Sequence, residues 1–579
     1  MSSDIDNEYF SDGITEEIIN ALAKIDALRV TSRTSSFHYK GKNIPIREIG
    51  KELKVTTIIE GSVRLSGDML RITAQLIDTR NDFHFWSESW DRKLENIFAI
   101  QDEISLIIAE KLRENIGHFD IQDKLVQKQT DNLEVYELYL KGKYFYQKWN
   151  PTDIKRSMGF FEEAISLDPA HAESYIGLSE CFTFLAGLGV IPADESWEKA
   201  TALSEKALQL NNQSPDVYFL LANINFWKNW NYREAYRLAS KTLEIKPSFA
   251  LGHQFISLIY ALSEKTEKSM EHIQIARNLD PLSNELLFAA AFINYMAKDF
   301  SRALVMLNQC IQSNPKNVLA HTIKCCCLLK LNKPDEVLTY FDDLPAEGII
   351  MADKVGLTGI AYVLKKDVIN SEKCLAELID LAKGKISVRA NGYLLLMYAR
   401  LKKNDKAFEL IGSCLKEPIA LMNMIFTDPL IEPLKSDSRY WEIHKNLFQD
   451  DFSIETVKKK RLLDEDTMNI YAERLLQHIK QEEPYLNANL SLSDLAKQID
   501  IHANQLSWLI NKKFEKNFKE FVNEYRVATF KKLSADPKNN HITLIGLAFE
   551  SGFNSKTVFN TFFKKSTGMT PTQYLIKAR

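Results

Sequence analysis

Apolar residues follow three different rhythms along the chain. Over residues 1 to about 118, helical and alternating spacings mix. Ile14, Ile18, Ile19, Leu22 and Ile25 share one side of a helix predicted over residues 14–28. A short strand over 28–31 and a second helix over 46–53 are expected next. Residues 57–66 and 68–78 alternate as a hairpin turning at Ser66-Gly67-Asp68, with Leu70, Ile72, Ala74 and Leu76 on one face. A third strand over 83–90 and a closing helix over 97–116 complete a small α/β module. Asp12, Glu16 and Glu17 lie close together, but no His, Cys or glycine-rich phosphate loop accompanies them. They are expected to be a helix cap and first-turn acids.

The second rhythm is a long-period repeat. Between residues 133 and 344, helical stretches end at Pro169, Pro215, Pro247, Pro281 and Pro315, with spacings of 46, 32, 34 and 34. A 34-residue period is that of tetratricopeptide repeats, in which each helical hairpin buries its apolar face on the next. Ala164, Ala207, Ala276 and Cys310 occupy the close-packing position before each Pro, and residues 187–195 fit an extended loop that lengthens the first spacing. After Pro345 the pattern degrades but stays helical, and residues 428–440 resemble the end segment of such arrays. An α-solenoid over 133–448 is expected, with a groove suited to a protein or peptide. Tyr144, Trp149, Phe226, Trp227 and Trp230 are either binding aromatics or packing between helices, with packing favoured. Residues 449–484 are predicted as a helical linker with a basic cluster, Lys458 to Arg461.

The third rhythm occupies the last ninety or so residues, where two short helical pairs occur in tandem. Apolar positions 492, 495, 499, 506, 509 and 510 give the first pair, with Ser491 or Ser493 as its cap. In the second, small Ala548 permits close helix approach and Gly552 allows a sharp turn. Asn554 or Ser555 caps the next helix, whose Phe559 and Phe563 pack inward. Residues 518–533 form a longer helix between the pairs. This stretch resembles the DNA-binding domain of the AraC/XylS family of bacterial transcription regulators, with the signature over 545–574. The resemblance implies about seven helices and two recognition helices, over 503–512 and 555–564, entering successive major grooves. Two positions depart from the family pattern: Asp500 stands where Gly is usual, and Thr561 where Arg is frequent.

The N-terminal stretch resembles the first domain of TolB-like tetratricopeptide proteins. Tyr9-Phe10-Ser11-Asp12-Gly13, Glu60-Gly61-Ser62-Val63, Phe85-Trp86, Trp90-Asp91-Arg92 and Ile100 to Ile104 carry that resemblance. Such domains open with an apolar strand absent here, so Met1 is expected to be internal to a longer protein. In relatives this module precedes various output domains, including nucleotide cyclases, but no cyclase-like domain is evident here.

Charge sharpens the picture. The whole chain carries a net charge of −4, yet residues 485–579 hold 14 Lys and Arg against 7 Asp and Glu. A basic end on an acidic body marks a local DNA-binding module. The 7 Cys show no metal-binding spacing and no C-x-x-C pair, consistent with buried residues in a reduced cytosol. No run of 18 or more apolar residues and no secretion signal occurs, so a cytoplasmic protein without membrane contact is expected.

The expected architecture is therefore multidomain and mainly α: an α/β module, an α-solenoid and an all-α double helix-turn-helix domain over 485–579. The expected function is sequence-specific transcription regulation on double-stranded DNA, with no enzyme activity, metal or cofactor. Base reading falls to Asn504, Gln505, Ser507, Asn554, Ser555, Lys556, Thr557 and Asn560. Phosphate contacts fall to Lys512, Lys513, Arg526, Lys531, Lys532, Lys564 and Lys565. Two recognition helices in one domain span two grooves without dimerisation, while a homodimer stays open. The alternative is a repeat scaffold that binds DNA only non-specifically.

Overall fold

The computed structural model describes residues 5–578 except 68, 94–96, 149, 188–192, 342–343, 345–349, 384–386, 417–421 and 449–462. Trp149, Asp68 of the hairpin turn, the centre of the 187–195 loop, Lys458 to Arg461 and the Met1 start lie outside the described residues.

The chain opens with helix α1 (Ile5–Ala23), then α2 (Arg33–Phe37) and α3 (Ile46–Leu53). Strands β1 (Thr57–Ser66), β2 (Met69–Asp78) and β3 (Phe83–Lys93) form one antiparallel sheet in that order, and α4 (Ile97–Ile116) closes the module. The alternation in β2 works as predicted: Leu70, Ile72, Ala74 and Leu76 are buried against Phe10, Ile14 and Ile104. The other face carries polar cross-strand pairs, Arg71 with Asp91 at 2.6 Å and Thr73 with Ser89 at 3.0 Å.

Two expectations for the module change. α1 begins nine residues before position 14, so Asp12 sits within the helix and pairs with Lys40 instead of capping. The predicted strand at 28–31 has no regular secondary structure and does not join the sheet. Its backbone serves the repeats instead: the Leu28 carbonyl accepts from the Ser248 hydroxyl at 2.7 Å, and the Ser32 amide donates to the Leu279 carbonyl at 2.8 Å.

The repeats form eight helical hairpins among the described residues, from Leu133–Tyr146 paired with Pro151–Leu167 to Ser387–Arg400 paired with Asn404–Lys416. Ala164, Ala207, Ala276 and Cys310 are fully or almost fully buried at the predicted close contacts. The described residues include no helix long and apolar enough to cross a membrane. All seven Cys are free, and burial pushes the Cys325, Cys326 and Cys327 thiols above their usual range, which makes them inert packing residues.

The array is more regular than its prolines suggest. A left-handed residue ends the first helix of successive hairpins at Trp230, Glu264, Lys298, Asn332, Lys366 and Lys402. The next amide then bonds back to the helix, as with Lys265 to the Tyr260 carbonyl at 2.8 Å and Lys403 to the Tyr398 carbonyl at 2.9 Å. This turn continues past Pro345, where the sequence pattern fades, because backbone hydrogen bonding fixes it and no particular side chain is required. A 3-10 segment (Pro429–Ser436) and a helix (Ser438–Leu447) cap the stack, with the Asp428 carboxylate accepting from the Tyr295 hydroxyl at 2.7 Å.

The module is welded to the array. Gly13 permits α1 to approach Leu140 so closely that a Cβ would stand 2.6 Å from that side chain. Glu16 pairs with Lys143 at 2.6 Å and Arg33 at 3.2 Å, and the Tyr136 hydroxyl accepts from the Gln101 amide at 2.9 Å. Farther along, Lys246 donates to Asn20 at 2.8 Å, and the Leu282 amide donates to the Ser35 hydroxyl at 3.0 Å. The segment from Gly13 to Ser35 thus lies along successive turns of the array, at Pro247 and Pro281. Of the candidate binding aromatics, Phe226 is fully buried in the core, while Trp227 and Trp230 pack against its rim.

Candidate nucleic-acid interface

Seven α-helices make up the C-terminal region, from Glu465–Glu482 to Pro571–Ala578. The first of them was expected to be a linker. Instead, Ala472, Leu475 and Ile479 join Leu492, Leu495, Leu506 and Leu509 in one core. Its amphipathic spacing was legible, but the partner of its apolar face was not.

In the first unit, Ser491 caps helix Leu492–Gln498 through a capping box with Asp494. Asp500 then adopts φ 53°, and the Ile501 amide returns to the Ala496 carbonyl at 3.1 Å. His502 caps the first recognition helix, Ala503–Phe514. The second unit repeats this geometry. Thr543 caps Leu544–Glu550, Gly552 adopts φ 93°, and the Phe553 amide returns to the Ala548 carbonyl at 3.1 Å. Ser555 caps the second recognition helix, Lys556–Thr567. Phe559 and Phe563 are fully buried beside Phe530 and Phe553, with the Phe530 and Phe559 rings 4.7 Å apart.

A buried joint couples the units. Arg526 donates to the Tyr485 carbonyl at 2.7 Å and to the Asn487 carbonyl at 2.8 Å. Gly552 sits against the same backbone, where a Cβ would meet the Tyr485 oxygen at 2.2 Å. Burial pulls the Arg526 pKa down to about 10, which leaves the guanidinium charged near neutrality. Arg526 was assigned a phosphate contact; at 5% exposure and with its donors committed to two backbone carbonyls and the Asn523 side-chain oxygen, it positions the two units instead.

The predicted base readers divide into two groups. Asn554, Lys556, Thr557 and Asn560 are exposed together on and just before the second recognition helix, opposite its phenylalanines. Ser555 is spent on its cap, accepting from the Val558 amide. In the first unit, Ser507 is buried at 7% exposure, so base reading does not fall to it. Gln505 accepts from the His502 amide at 3.1 Å. Asn504 is already engaged by another part of the chain: its side-chain oxygen accepts from Arg113 and from the Ile121 amide, and its side-chain nitrogen donates to the Ile121 carbonyl at 3.1 Å.

Most of the predicted phosphate lysines stand at the surface. Lys512, Lys532 and Lys564 are exposed, Lys513 donates to Asn469 at 2.6 Å, and Lys565 pairs with Glu520 at 2.6 Å. Lys531 is half-buried, its ammonium 5.2 Å from the Tyr574 ring centre. Among the described residues no group of three or more His, Cys, Asp or Glu is placed to hold a metal ion.

With two matched capped pairs and their turns in place, comparison with known proteins is decisive for this region: residues 495–576 match the family model described as "Helix-turn-helix domain". The C-terminal region is a helix-turn-helix domain. Its two tandem units have the form implied by the AraC/XylS resemblance. Elsewhere the similarities are partial. The protein named "Putative adenylate cyclase 3" of Rhizobium meliloti (strain 1021) is 32% identical over 228 residues, 39% of either chain. "Transcriptional regulator HilA" of Salmonella typhimurium is 19% identical over 219 residues, 38% of this chain and 33% of HilA. The chain therefore spans well under half the length of these relatives. A tetratricopeptide repeat protein from Parabacteroides merdae is similar over 46% of this chain and 99% of its own, at 13% identity and a TM-score of 0.34, too low to carry an argument.

Proposed function

We propose that this chain is a sequence-specific, AraC-type transcription regulator that binds duplex DNA through its helix-turn-helix domain. The N-terminal module and the repeats form the input side, and a protein or peptide on the repeats is the expected source of the signal. The observation that carries this is the second recognition helix. Phe559 and Phe563 anchor one face completely, so the opposite face presents Lys556, Thr557, Asn560 and Lys564 as a rigid polar row. Asn and Lys there can pair with base edges, and each good contact is worth about 1–3 kcal/mol of discrimination. The basic balance of residues 485–579 supplies attraction to phosphate.

Genome-wide footprinting with the purified full chain tests this. The expected result is a discrete motif with two contact blocks about 10 bp apart. The block read by the second unit should disappear in Lys556→Ala/Asn560→Ala, while salt-dependent binding to random DNA persists. Diffuse binding that the double substitution leaves unchanged would overturn base reading and favour the scaffold alternative.

A further inference from the structure

The end of α4 and the loop behind it grip the first helix-turn-helix unit at three places. At the first helix, Glu114 accepts from the Leu492 amide at 3.0 Å, and Glu110 accepts from the Ser493 hydroxyl. At the recognition helix, Arg113 and the Ile121 amide donate to the side-chain oxygen of Asn504, and its side-chain nitrogen donates to the Ile121 carbonyl. At the helix that joins the units, Asn517 donates to the Asn115 carbonyl at 3.0 Å, and Lys519 pairs with Glu114 at 3.3 Å. The side chain of Glu114 is fully buried and that of Arg113 is 2% exposed, so this is a built contact between elements nearly four hundred residues apart in sequence. Among the described residues nothing comparable covers the second unit, whose recognition helix presents its polar row to solvent.

We propose that this contact is an autoinhibitory clasp, in which the N-terminal module and DNA compete for the first recognition helix. The inference rests on the DNA-binding function proposed above. Helix-turn-helix proteins contact base edges with the N-terminal residues of the recognition helix. Asn504 is the second residue of that helix, and its amide bonds to Ile121 use the same donor and acceptor that would read an adenine. The clasped chain therefore engages DNA with its second unit only. Two-groove binding requires the module to leave, and apparent affinity is reduced by the fraction of molecules in the closed state. Because α1 and the segment behind it are bonded to the repeats, a ligand that shifts the module on the array would also shift the clasp.

Hydrogen exchange on the unmodified full chain, with and without a saturating 40-bp duplex carrying the footprinted motif, is the direct test. The Leu492 and Ile121 amides both donate across the clasp, so both should exchange faster once DNA is bound, while residues 556–564 become protected. Continued protection of both amides in the DNA complex would overturn the proposal, because the module would then ride on DNA with the domain. A second measurement uses Glu110→Lys/Arg113→Ala and fluorescence anisotropy on the same duplex. The clasp predicts at least about tenfold tighter binding by the variant. Equal affinity of variant and parent overturns the clasp but leaves DNA recognition standing. Absence of binding by both, even at low salt, overturns DNA recognition and the clasp together.

Discussion

The two helix-turn-helix units use one local design in two different settings. Each has a capped short helix, a left-handed turn residue and an amide returning five residues back, at 3.1 Å in both. Asp500 fills the turn in the first unit and Gly552 in the second. Asp500 is exposed and has room for a side chain, whereas Gly552 is wedged against the Tyr485 carbonyl. The same backbone conformation therefore tolerates Asp at one site and demands glycine at the other. The surroundings differ in the same way. The first unit is enclosed by helix Glu465–Glu482 and by the N-terminal module. The second unit rests on its own phenylalanine core and leaves its recognition helix open. A motif specifies how its helices turn, while its neighbours decide whether that surface is available.

The largest expected effect separates the two turns. Gly552→Ala places a Cβ on the Tyr485 oxygen in a left-handed conformation and should cost about 3 kcal/mol or more. Exchange at the Phe553 amide should rise steeply, and an unchanged rate would show that the turn can shift without penalty. Next comes the joint. Arg526→Ala leaves the Tyr485 and Asn487 carbonyls without their charged donor, a loss of roughly 2–3 kcal/mol. It should also blur the spacing between the two footprint blocks, because Arg526 ties the chain before the first unit to the helix leading into the second. A stable protein with an unaltered footprint would mean that the helix core alone fixes the spacing. The smallest effect has the opposite sign: Asp500→Gly should relieve a non-glycine residue from the left-handed region and slow exchange at the Ile501 amide, a gain of about 0.5–1 kcal/mol. Destabilisation there would show that the Asp500 side chain contributes to the turn.

Legibility followed the range of the interactions. The sequence alone determined most helices of the repeats and of the C-terminal domain, the β2 alternation, the 34-residue period and both turns, because each depends on residues a few positions apart. It also determined the polar row Lys556, Thr557, Asn560 and Lys564, since i, i+4 spacing of Phe559 and Phe563 fixes the opposite face. Only the tertiary structure decided what each surface meets. Arg526 has the same local signature as a phosphate-binding arginine, and its burial depends on a carbonyl about forty residues earlier. Ser507 lies on a recognition helix yet faces inward. Helix Glu465–Glu482 has an apolar stripe that suits a linker or a core equally until its partner is known. Asn504 carries the right chemistry at the right helical position, and no local pattern could foretell that Arg113 and Ile121 would occupy it. Hydrophobic period and capping are written in short windows of sequence, whereas the pairing of two finished surfaces depends on their shapes and charges after the chain has folded.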